Sequence, residues 1–240
     1  MSALSNSAHL RLTISLAEPH INYLSALFWN YEHLDELFPE YLFTLYCSMR
    51  ATVPLLEAAA ARSDVLSSAD PVAAKLTPYF LQHAREELHH DEWLLEDMQA
   101  VGIDTATLIR RLPPADVAEM IGAQHYWVRH AHPISVLGCF AVLEGDPPQK
   151  ETLNRVMRER GIPKEALRTL LKHAELDPHH SSDLDRVLDD LPLEHDHLEL
   201  LGMSSLHTIE QLGGILHRLL VEAGHPGLSS TGLVDSHSDS

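Results

Sequence analysis

The sequence predicts an all-α protein, a bundle of about seven helices. Three observations carry this. Apolar residues recur at helical spacing through nearly all of the 240 residues. No segment alternates apolar and polar residues for long enough to make a half-buried strand, and no break in composition calls for a second domain. One helical domain is therefore placed at 1–224. The remainder, 225–240, is small and polar with almost nothing to bury, and reads as a disordered tail.

Taken in order, a first helical region covers about 21–37 and closes at Phe38-Pro39. A second runs from Glu40 to Arg62 with a bend at Pro54, and Ser63 to Ala69 is a loop. Asp70-Pro71 is an N-cap followed by a first-turn proline, and it opens one long amphipathic helix ending at Gly102. The stretch 103–116 is a connector, after which Pro114 and Asp116 lead into a helix that reaches Glu144 with a kink at Pro133. Gly145-Asp146-Pro147-Pro148 stops that helix. Three more follow, over about 149–160, from Pro163 to Asp190, and over about 193–223.

The formal charge of −18, from 35 acidic and 17 basic residues, gives a negative surface potential that repels phosphate backbones and anionic headgroups. Nucleic acid and membrane are thus poor partners. Cys47 and Cys139 are the only cysteines, which excludes a disulfide scaffold or a four-thiolate metal site and fits a reducing compartment. No run approaches the roughly 18 apolar residues needed to cross a bilayer, and a cytoplasmic location is expected.

Eighteen histidines are a surplus, and spacing has to decide which of them bind anything. Glu87 and His90 stand three apart in HAREELHHDEW, and His173, Asp177 and His180 follow the i, i+4, i+7 pattern in HAELDPHH. At about 100° per residue the second set spans an arc of roughly 60°, so its side chains can converge on one point inside a bundle. Glu144 ends a stripe of Tyr126, His130, Pro133, Leu137 and Phe140 that is otherwise apolar enough to face the core. A carboxylate there needs a partner. Three imidazoles and three carboxylates without a thiolate suit iron or manganese better than structural zinc. Inward-facing Glu-x-x-His pairs also build the dimetal sites of ferritin-like bundles, but only one such pair is evident here.

With these motifs in view, EELHHDEWLLEDMQAVG at 86–102, HPISVLGCFAVLEG at 132–145 and HAELDPHH at 173–180 resemble the heme-oxygenase-like diiron oxidases and oxygenases. Their relatives in fold are the thiaminase-like and pyrroloquinoline-quinone-synthesis proteins. The resemblance covers about 70–224 and implies a heme-oxygenase-like helical bundle. It implies two iron ions held by Glu87, His90, Glu144, His173, Asp177 and His180, used to activate O2 and oxidise a small amine, amino acid or carboxylic acid. A small-molecule substrate and O2 are then the partners, with room for an electron donor and for a homodimer. Some members carry a ligating Glu where this chain has His83, so His83 enters as a seventh ligand, as a donor to a carboxylate, or as neither.

Other readings stand beside this one. Cys139 invites comparison with a thiaminase-type nucleophile, which would make the protein a metal-free hydrolase, although a buried small residue on an apolar helix is the simpler reading. A non-catalytic metal- or ligand-binding protein is the third. His195, Asp196 and His197 look like a charged helix start, and Tyr23, Phe28, Trp29, Tyr126 and Trp127 are candidates for a pocket wall.

Overall fold

The computed structural model describes residues 4–145, 147–226 and 228. Among these it is helical without a strand: nine α-helices of nine or more residues, a four-residue α-helix and one 3-10 turn, where the sequence predicts about seven helices. The helices are α1 (Asn6–Asn30), α2 (Leu34–Leu66), α3 (Pro71–Glu86), α4 (His90–Ala100), α5 (Thr105–Leu108), α6 (Ala115–His130), α7 (Ser135–Leu143), α8 (Lys150–Arg160), α9 (Arg168–Asp190) and α10 (His195–Glu222). The 3-10 turn, Lys164–Leu167, leads into α9.

The two extra long helices come from breaks, and the first helix begins earlier than expected. Helix α1 starts at Asn6, not near residue 21, because Ser5 caps it and Leu10, Ile14, Leu24 and Phe28 bury one face. Its cap is joined to the C-terminal end of α9, where Asn6 Nδ2 donates to the Leu188 and Leu191 carbonyls and the Ser7 amide donates to Asp189. The chain turns at Tyr31–His33 and passes helically through Phe38-Pro39. Pro39 costs that helix one hydrogen bond, offset by complete burial of Leu34, Phe38 and Leu42. The expected loop at Ser63–Ala69 shrinks to its last residues, since Ser63 is fully buried and α2 runs to Leu66.

Two predicted long helices are each divided in two. The 70–102 segment breaks at Glu87-Leu88-His89, where His89 adopts a left-handed backbone with φ 71°. No glycine or proline marks the position in sequence, and such a conformation in a side-chain-bearing residue costs on the order of 1 kcal/mol. The 114–144 segment breaks at 131–134, so the expected kink at Pro133 is a full interruption. Side chains satisfy the exposed ends: His132 Nδ1 accepts from the Ile134 amide at 3.1 Å, and Ser204 Oγ donates to the Ser135 carbonyl at 2.6 Å. The break turns Tyr126 and His130 out to solvent, away from the stripe predicted to run on to Glu144.

The start of α9 is capped by another helix. Asp97 of α4, completely buried, accepts from the Thr169 amide at 2.8 Å and pairs with Arg168 at 3.1 Å. Of the tail predicted from 225, residues 227 and 229–240 lie outside the described residues, while the His225 ring packs 5.3 Å from that of Tyr31.

Helix α7 is nearly all apolar and sits close against α10. A Cβ on Gly138 would fall far inside van der Waals contact with the Leu201 carbonyl oxygen and 3.1 Å from Ser204 Cβ. Gly138→Ala is expected to lower stability by about 1–3 kcal/mol, the usual result of overpacking. A denaturant midpoint equal to that of the parent protein would show that α7 can shift at no cost.

Candidate metal centre

Three pieces of helix supply the site. His83 lies in the last turn of α3, Glu87 is the C-cap of that helix with its amide bonded to the His83 carbonyl, and His90 is the first residue of α4. Glu144 is the C-cap of α7. His173, Asp177 and His180 lie on one face of α9, as their spacing predicts. His83, Glu87, His90, Glu144 and Asp177 are each at most 6% exposed, and the side chains of His173 and His180 are 13% and 11% exposed.

The side chains form two groups that share a residue. His83, Glu87, Glu144 and His180 each offer a ligand atom within 4.8 Å of the other three, and Glu87, His90 and His173 do the same. Glu87 belongs to both. Its Oε2 lies 3.0 Å from His90 Nδ1 and its Oε1 3.6 Å from His180 Nδ1. Asp177 stands outside both groups at that spacing, with its Oδ1 2.9 Å from His173 Nδ1. His83, which the sequence leaves between two roles, lies inside the first group, its Nε2 2.8 Å from Glu144 Oε1.

The electrostatics follow from burying carboxylates among imidazoles. Burial drives the Glu144 pKa up, and His83 and His180 only partly offset it. Burial also works against ionising Glu87, but the His90 hydrogen bond and the charges of His90, His173 and His83 outweigh it and pull the pKa down. For His83 and His173, burial disfavours the cation, yet Glu144 and Asp177 respectively hold each imidazole above its ordinary value. Several ligand-type atoms still have no hydrogen-bond partner: His83 Nε2, Glu87 Oε1, Glu144 Oε2, His173 Nε2 and His180 Nδ1. Buried polar atoms rarely go unsatisfied, and these five all belong to residues of the two groups.

A second His and Asp group, Asp70 with His132 and His197, differs in this respect. His132 Nδ1 accepts from the Ile134 amide, so its proton is on Nε2 and points to Asp70 at 3.0 Å. His197 Nδ1 accepts from the Glu194 amide at the start of α10. With those lone pairs engaged, the group ties the start of α3 to the α6–α7 break and leaves no nitrogen in the tautomer a metal requires.

A cavity of about 420 Å³ reaches the site from one side, with His173 and Asp177 in its wall. One face of α1 lines it at Arg11, Ile14, Glu18, Ile21, Ser25 and Phe28, of which the sequence offered only Phe28 as a pocket wall. Of the aromatic candidates, Phe28 and Trp29 line it, Tyr23 and Tyr126 are exposed, and Trp127 packs against the core around Val128. Tyr79 escapes sequence reasoning altogether. Its hydroxyl lies 3.2 Å from His83 Nδ1, four residues on along α3.

Residues 40–205 match the family of iron-containing redox enzymes. The chain belongs to that family. Among solved structures it is similar to a domain of unknown function with a heme oxygenase-like fold from Shewanella denitrificans, at TM-score 0.77 and 13% identity over 99% of this chain and 100% of the other. It is also similar to a TenA homolog from Pseudomonas syringae pv. tomato, at TM-score 0.70 and 10% identity, covering 88% of this chain and 91% of that one. The bundle therefore has the heme-oxygenase-like fold. No curated protein matches the chain. No helix among the described residues is long and apolar enough to cross a membrane.

Proposed function

We propose that the protein is an O2-dependent non-heme diiron oxidoreductase acting on a small organic molecule, an amine, amino acid or carboxylic acid. The observation that carries this is Glu87, a buried carboxylate shared by two groups of imidazoles and carboxylates whose facing atoms lack partners. His83, Glu144 and His180 would hold one ion, and His90 and His173 the other with Asp177 beside them, Glu87 serving both. The donor set fits: nitrogen and carboxylate oxygen without thiolate suit iron, and three carboxylates leave a pair of ferrous ions close to neutral, which makes burial tolerable. Bound iron supplies the electrons and open coordination positions through which O2 can oxidise an organic substrate.

The chain's own residues do the rest. Asp177 at His173 Nδ1 and Tyr79 at His83 Nδ1 fix the orientation of two rings and leave their Nε2 atoms facing the site. The apolar wall of the cavity excludes water from the side where His173 and Asp177 meet it.

Anaerobic reconstitution with Fe(II), followed by metal analysis, tests this reading: about two ions per chain are expected from two uneven donor sets. One tight zinc with no iron retained would overturn it. A metal-free hydrolase is not favoured, because Cys139 is fully buried and its thiol is pushed up to about 12, chiefly by that burial. A non-catalytic binding protein would take up iron yet consume no O2 with any substrate.

A further inference from the structure

We propose that the 420 Å³ cavity binds a molecule with an apolar body and a cationic amine, the ammonium being held by Glu18 at the rim. This rests on the cavity being the substrate site of the oxidoreductase proposed above, and it narrows the substrate classes named there to one.

The charges in the wall decide the polarity of the ligand. Most of the lining is apolar, contributed by Ile14, Ile21 and Phe28 of α1, Met120 of α6, and Ile209 and Ile215 of α10. Four side chains carry charge or can acquire it: Arg11, Glu18, His173 and Asp177. His173 and Asp177 are engaged with each other. Arg11 would be the natural receptor for a substrate carboxylate, but it is already spoken for. Its Nε and Nη2 donate to Asp185 at 3.1 and 2.8 Å, Nη2 also to Ser181 Oγ at 2.8 Å, and Nη1 to the Ala141 carbonyl at 2.8 Å. That places its guanidinium in a neutralised pair at the cavity wall. A carboxylate brought there would have to displace Asp185 or be buried without a counter-charge.

Glu18 differs from all three. It is half-buried, lines the cavity, and has neither a hydrogen bond nor an ion pair to any described residue. Asn22, one turn further along α1 and exposed, lines the same cavity, as does Ser25. The wall thus offers one uncompensated negative charge, hydrogen-bonding groups beside it, and an apolar interior. A primary ammonium on an aliphatic or aromatic body satisfies each of these, since the head remains partly hydrated at the rim while the body leaves water.

The test is calorimetric titration of matched straight-chain primary amines, alcohols and carboxylates of about six to ten carbons into the full chain. It is run on the protein as isolated and after anaerobic Fe(II) loading, with iron content measured separately. The amine is expected to bind at least about tenfold more tightly than the carboxylate of equal length in both forms. Glu18→Gln should remove that preference and leave alcohol affinity and helical content unchanged, and Glu18→Lys should reverse it. Carboxylates binding as tightly as amines, or an amine affinity indifferent to Glu18→Gln, would overturn the proposal. Binding needs no iron in this assay. A protein that binds amines but not iron therefore sinks the diiron reading alone, and one that binds iron but not amines sinks only this one.

Discussion

If the centre holds two ions as proposed, Glu87→Ala is expected to strip it of both, a larger loss than removal of any other side chain in the site. The reason is its position: it is the one residue in both groups, with Oε2 3.0 Å from His90 Nδ1 and Oε1 3.6 Å from His180 Nδ1. Altering a residue that merely supports a ligand typically costs 10–100-fold in metal affinity, so deletion of a shared carboxylate should cost at least about 100-fold at each point. Metal analysis after anaerobic Fe(II) loading would show near-background iron, and O2 consumption with any substrate should fall with it. His195→Ala, on the exposed start of α10, provides the control and should load fully. The variant should remain folded, since Glu87 caps α3 through its backbone, which alanine keeps. Retention of one ion in Glu87→Ala would mean that the two points are independent, and the shared-carboxylate arrangement would have to be abandoned.

Much of this centre was legible because helical periodicity survives translation into space. His173, Asp177 and His180 needed only one uninterrupted helix to share a face, and α9 supplies it despite Pro178. Glu144 was found by a different route, as a carboxylate ending an apolar run. The run was real only in its second half, because the α6–α7 break turns Tyr126 and His130 outward. Glu87 and His90 were paired for a reason that turned out to be incomplete. Spacing of three puts them on one face of a continuous helix, yet the helix stops between them and His89 enters the left-handed region. Their contact is made across a turn, held by backbone bonds from the Glu87 amide to His83 and from the His90 amide to Glu87.

What the sequence hid was mostly non-local. The sequence predicts no helix before residue 21, and the helix there is fixed by partners more than 170 positions away: Leu188, Leu191, Asp189 and Asp185. With that helix unassigned, Arg11 and Glu18 could not be placed in a cavity wall. Asp97 is similar. Within its own helix it reads as one more solvated acid, but it is buried and caps α9 across the bundle. Local breakers misled in the opposite direction, since Pro39 lies within a helix whose buried Leu and Phe side chains outweigh one missing bond.

His83→Ala is expected to lower iron from about two ions per chain to about one, and His83→Glu to restore the second. The geometry argues for a ligand. His83 Nε2 and Glu144 Oε1 approach to 2.8 Å without hydrogen-bond alignment, and Nε2 remains without a partner. Its Nδ1 is 3.2 Å from the Tyr79 hydroxyl, so a proton on Nδ1 would leave the Nε2 lone pair facing a carboxylate. Two lone pairs at that distance repel unless a proton or a cation lies between them. Glu144 also holds the His83 imidazole above its ordinary pKa, against the effect of burial. Metal binding displaces any proton carried by a ligand nitrogen, so pH-stat titration of Fe(II) into the protein should show fewer protons released by His83→Ala than by the parent chain. Glutamate restores a carboxylate donor at the same position. If His83 only orients Glu144, the alanine variant will take up both ions and consume O2 about 10–100-fold more slowly, and the ligand assignment fails.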